Sequence, residues 1–92
     1  MVKFVTKKSG EKVPLDEGKT KHSIMMAARE AGYDEGKASG LADEVAMSAL
    51  NSFGEQDTVS TMDIKDKVLA QLDSQHPEVS AAWRKYDQEH GK

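Results

Sequence analysis

Residues 2–19 read VKFVTKKSGEKVPLDEGK, and this stretch decides the fold. Val2-Lys3-Phe4-Val5-Thr6-Lys7 alternates and is rich in β-branched and aromatic residues, which predicts a strand. Ser9-Gly10 is a turn signal, because glycine tolerates positive φ. Glu11-Lys12-Val13-Pro14-Leu15 then reads as the return strand. Pro14 has no N–H to give a ladder, so that strand ends there or lies at an edge. With Ser9-Gly10 as a two-residue turn, Lys8 faces Glu11 and Lys7 faces Lys12. Two adjacent lysines repel each other unless an anion lies between them.

Downstream the period changes from two to about 3.6. Asp16 is a helix N-cap, and Ile24, Ala27, Ala28 and Ala31 form the stripe of a first helix that stops at Gly32. Asp34 caps a second helix, with Ala38, Leu41, Ala42, Val45, Ala49 and Phe53 on one face and Gly54 after it. Ser60-Thr61-Met62-Asp63 opens a third helix with a capping pattern, and its stripe is Ile64, Val68, Leu69 and Leu72. Pro77 suits the first position of a fourth helix carrying Val79, Trp83 and Tyr86. The expectation is an α+β, mostly α fold in which an N-terminal β-hairpin caps a four-helix bundle. Residues 1–92 read as a single domain, since 92 residues close one small core.

Composition narrows the function. Without cysteine there is no disulfide frame, no thiol nucleophile and no cysteine-ligated zinc. His22, His76 and His90 lack metal-site spacing. No apolar run is long enough for a membrane span, so no membrane association is expected and the chain reads as cytoplasmic. The net charge of −3 argues against a nucleic-acid binder. Its distribution is uneven: residues 1–21 carry six lysines against three acids, and residues 22–92 carry seven basic groups against thirteen acidic ones. A local positive field concentrates an anionic ligand, although solvated surface lysines produce the same pattern. No Walker loop, dinucleotide fingerprint or catalytic spacing is present, so the chain is not read as an enzyme. Lys19 and Lys21 follow the hairpin in the first turns of a helix whose N-terminus itself favours anions. Lys7, Lys8 and Lys19 could therefore converge on one polyphosphate.

At these residues the sequence resembles the ATP-cone, a regulatory nucleotide-binding domain found in many ribonucleotide reductases and in the bacterial repressor of their genes. Val5-Thr6-Lys7-Lys8-Ser9-Gly10 is similar to its V-x-K-R-D-G opening. Val13-Pro14-Leu15-Asp16-Glu17-Gly18-Lys19 is similar to V-P-F-D-x-x-K, and Val59-Ser60-Thr61-Met62-Asp63-Ile64 to V-S-(S/T)-x-(D/E)-I. The resemblance implies a hairpin or small three-stranded sheet over four helices, with ATP or dATP bound between them. It implies that Val5 and Lys7 line the site, that Lys7, Lys8 and Lys19 meet phosphate, and that Glu11, Val13 and Pro14 lie against the nucleoside. It places His22 as a further basic residue, and Thr61, Ile64 and Lys65 near base and sugar. Mg2+ would enter with the triphosphate, as no protein metal cage is visible.

The chain departs from the family at Ser9, where an acid is usual, and at Lys8, where arginine is commoner. It has no Arg-rich final helix, and Lys85 and Lys92 are the candidate replacements. It also holds neither a reductase barrel nor the cysteines of the repressor's zinc ribbon. The expectation is therefore a free-standing domain that reports adenine-nucleotide state to a protein partner, with ribonucleotide reductase or another nucleotide-metabolism protein as the candidate. A change of oligomeric state is one means of reporting. The alternative is a protein-interaction module of the same fold that has lost its nucleotide.

Overall fold

The structure, a computed structural model, describes residues 2–90, including every side chain among them except those of Asp87 and His90; Met1 and Lys92 lie outside the described residues. Strands β1 (Phe4–Thr6) and β2 (Lys12–Pro14) pair antiparallel with Val5 opposite Val13 and Thr6 opposite Lys12. The loop between them has three residues rather than two. The Gly10 N–H donates to the Lys7 carbonyl and the Lys7 N–H to the Glu11 carbonyl, both at 2.8 Å, with Gly10 at φ 93°. This corrects the sequence register: Lys7 lies opposite Glu11, and the Lys7–Lys12 juxtaposition does not form. A glycine in the left-handed region allows the longer loop, whose extra residue absorbs the twist of the strands. Lys12 instead places its ammonium 4.7 Å from the centre of the Phe4 ring.

A third strand, β3 (Thr58–Ser60), runs parallel to β1 on the side away from β2, giving the order β2-β1-β3. Pro14 thus lies on an edge strand, where its missing N–H costs no ladder bond. Val5 and Val59 turn inward and are buried.

Four helices follow the predicted bounds closely: α1 (Glu17–Glu30), α2 (Glu35–Asn51), α3 (Thr61–Gln75) and α4 (Pro77–His90). Their caps are the predicted ones. Asp34 accepts from the Lys37 N–H at 2.8 Å, and Ser60 from the Asp63 N–H at 3.0 Å. Gly32 and Gly54 take positive φ after α1 and α2. Helix α1 packs on α2 and α4, and α3 on the same two. Because α2 touches both α1 and α3, it buries more than one stripe: Ala46 and Leu50 are buried beside the predicted face. On α4 the apolar face is shorter than expected. Val79 is fully buried and Trp83 is half-buried against the core, but Tyr86 is 51% exposed.

Two polar clusters tie α4 to the bundle. Arg84 forks onto Asp73 at 2.7 and 2.9 Å, and the buried Ser80 hydroxyl donates to Asp73 at 2.6 Å. The Tyr33 hydroxyl donates to the Glu78 carboxylate. With its one proton committed there, it can only accept from His76 Nδ1, 3.2 Å away. Arg84, then Ser80, hold the Asp73 carboxyl well below its ordinary value, and Tyr33 lowers that of Glu78. A depressed folded pKa stabilises the fold above the unfolded value and is lost as pH falls toward the folded one. Urea melts should therefore show stability declining below about pH 4, where unfolded carboxylates protonate. The decline should be shallower in Asp73→Asn, and equal slopes would exclude the pairing as its source.

Candidate functional site

A cavity of about 240 Å3 lies between the sheet and the helices. Val5, Val13 and Pro14 form its roof from the sheet side, and Lys7 stands just beyond the end of β1. Asp16, Lys19, Thr20 and Ser23 come from the start of α1. Thr61, Ile64, Lys65 and Val68 come from α3, and Trp83 reaches in from α4. The α3 group has the spacing i, i+3, i+4, i+7, so it is one helical face. Val5 and Ile64 are buried in the core as well as lining the cavity.

The cavity has distinct chemical regions. Val5, Val13, Pro14, Ile64, Val68 and Trp83 offer apolar surface; Thr20, Ser23 and Thr61 offer hydroxyls; Lys7 and Lys19 offer cations. Both of these lysines are exposed, and among the described residues neither forms an ion pair. Their charge is not spent within the fold. The helix terminus contributes less than the sequence suggests. Asp16 Oδ1 accepts the Lys19 N–H at 3.2 Å, so one N–H of the terminus is occupied by a carboxylate. That negative charge opposes a second anion at the same point, and the lysine ammoniums carry the attraction. A Cβ at Gly18 would stand 3.2 Å from Asp16 Oδ1, so a side chain there would crowd the cap.

Eight of the sequence-predicted site residues come together here: Val5, Lys7, Val13, Pro14, Lys19, Thr61, Ile64 and Lys65. Lys8 and Glu11 lie on the exposed hairpin tip outside this lining. His22 lines an adjoining hollow of about 420 Å3 between α1 and α4, which shares Ser23, Lys65 and Trp83 with the first. Lys85 is exposed and lines neither space. The sequence reading missed Leu15, Asp16, Thr20, Ser23, Val68 and Trp83. A signal existed for Ser23 and Val68, which lie one turn beyond Lys19 and Ile64. Among the described residues no cluster of three or more His, Asp or Glu is placed to hold a metal ion, and no helix is long and apolar enough to cross a membrane.

Comparison with protein-family models matches the chain to the ATP cone domain over residues 3–92. The chain belongs to the ATP cone domain family. Domains of this family are nucleotide-binding regulatory modules that take adenine nucleotides and are not themselves catalytic. A comparison with curated proteins finds no match.

Proposed function

We propose that this chain binds ATP or dATP in the cavity between the sheet and the helices and passes the nucleotide state to a partner protein. The observation that carries the reading is the pairing of the unspent Lys7 and Lys19 ammoniums with an apolar wall in one cleft. A triphosphate needs the first and a purine the second. Lysine ammoniums act as point charges, which suits phosphate oxygens free to rotate past them. In this reading Val5, Val13, Pro14 and Ile64 hold the nucleoside, Thr61 and Lys65 lie toward sugar and base, and Mg2+ arrives on the triphosphate. Lys8 adds to the local positive field from the hairpin tip, where the Glu11 carboxylate partly offsets it, and His22 stands in the adjoining hollow; none of the three acts from the lining. Regulation follows because a ligand that binds one conformation better than another shifts their populations. A partner in nucleotide metabolism, ribonucleotide reductase included, would be the natural reader of that shift.

The test is a set of thermal melts with ATP, dATP, ADP, GTP and inorganic triphosphate, at fixed magnesium and ionic strength. Adenine triphosphates should raise the melting temperature well beyond inorganic triphosphate. No shift at millimolar nucleotide would sink the nucleotide reading and leave the protein-interaction module.

A further inference from the structure

We infer that Trp83 is a specificity-determining residue of the cleft, an aromatic plate that favours purine over pyrimidine triphosphates. This rests on the nucleotide reading above and names the group that would grip the base. Trp83 is the sole tryptophan of the chain and the one aromatic side chain in the lining of the cleft among the described residues. It lies three and four residues beyond the buried Ser80 and Val79, so α4 turns it toward the bundle. It is packed against the core yet only half-buried, and it lines both the cleft and the adjoining hollow.

A ring anchored on the core and open toward a cavity is a rigid stacking surface that loses little side-chain freedom when a base arrives. The same cavity is lined by aliphatic side chains, Val5, Val13 and Ile64 among them. A flat heteroaromatic between an indole and an aliphatic surface is held by its faces, and the larger purine gains more contact than a pyrimidine. Stacking reads the face and not the edge, so Trp83 sets ring size and leaves adenine against guanine to other groups.

The experiment measures dissociation constants of ATP, CTP and inorganic triphosphate by calorimetry for the wild type, Trp83→Leu and Trp83→Phe. Circular dichroism checks that each variant is folded. Trp83→Leu should weaken ATP about tenfold, within the usual range for loss of one base–aromatic stack. It should weaken CTP less and leave inorganic triphosphate unchanged, and Trp83→Phe should recover most of the loss. In the wild type, ATP should change Trp83 fluorescence where inorganic triphosphate does not, a readout that needs no variant to fold. Equal weakening of all three ligands would make Trp83 a structural support and overturn the inference, as would unchanged ATP affinity in Trp83→Leu. Failure of the wild type to bind any nucleotide would overturn the nucleotide reading itself, and this inference with it.

Discussion

Replacing Lys7 and Lys19 together with alanine should lower the affinity for ATP by about two orders of magnitude. A charge-assisted contact to an ionised oxygen contributes about 1.5–3 kcal/mol, and about 1.4 kcal/mol is tenfold in affinity. Each single variant should therefore lose roughly ten- to a hundredfold. The two losses need not add, because both lysines would act on one ligand. Calorimetry at fixed ionic strength measures this directly. Raising salt should weaken wild-type binding and affect the double variant less, since fewer screened charges remain in it. The control is Lys8→Ala. Lys8 lies on the same hairpin but outside the cleft lining, so its loss should cost about threefold or less through the general field. Equal effects at Lys7, Lys8 and Lys19 would mean a diffuse basic patch rather than a cleft. The unliganded fold should not suffer from either change, because neither ammonium has an ion-pair partner among the described residues. The wild type at about a hundred times the dissociation constant gains roughly 2.7 kcal/mol, a melting shift on the order of 10 °C for a domain of this size. The double variant at the same nucleotide concentration should lose most of that shift.

The elements legible in the sequence were those set by local chemistry. Asp16, Asp34 and Ser60 each precede a helical period with a side chain that can take an N–H, and each caps a helix. Gly32 and Gly54 mark ends because the backbone after each helix turns left-handed there. Strand β3 could not be read this way. It has three residues, too few for a period, and its partner β1 lies more than fifty positions away in the chain; only the family resemblance suggested a third strand. The hairpin register escaped for a related reason, as Lys8-Ser9-Gly10 and Ser9-Gly10 are equally good turns on paper. Closing the loop on Lys7 also places Lys7 beyond the sheet, at the mouth of the cleft. Within the site, residues on the faces that the motifs already marked could have been extended by helical spacing. Trp83 could not, because the docking of α4 beside the cleft is a tertiary fact. The same holds for Tyr86, which the period places with Val79 and Trp83 but which lies past the end of the buried stripe.

Ile24→Ala should be among the most destabilising single changes in the molecule while leaving the cleft between sheet and helices largely intact. Ile24 is fully buried on α1, one residue after Ser23 and one turn beyond Lys19 and Thr20, which line the cleft. It belongs to a core cluster that holds many alanines, among them Ala27 and Ala28 on the same helix and Ala38, Ala42, Ala46 and Ala49 on α2, together with larger side chains such as Leu41, Val45, Val68 and Leu72. A close-packed core relaxes only partly around lost atoms, and alanines contribute no rotamer to that relaxation, so much of the cavity should persist. Such truncations cost about 2–5 kcal/mol. A chain of this length has a total stability of roughly 5–14 kcal/mol. At about 4–8 °C per kcal/mol, the melting temperature should fall by at least roughly 10 °C, while Ile24→Val should cost only about 0.5–1.5 kcal/mol. Binding offers the second readout. If the cavity stays inside the core, the folded variant measured well below its melting point should keep its ATP dissociation constant within about threefold, and saturating nucleotide should raise its melting temperature by nearly the wild-type increment, because that increment depends only on ligand concentration relative to affinity. If affinity falls with stability, Ile24 is a positioning residue whose bulk sets the pitch of α1 under Lys19. The core and the ligand site would then be one mechanical unit.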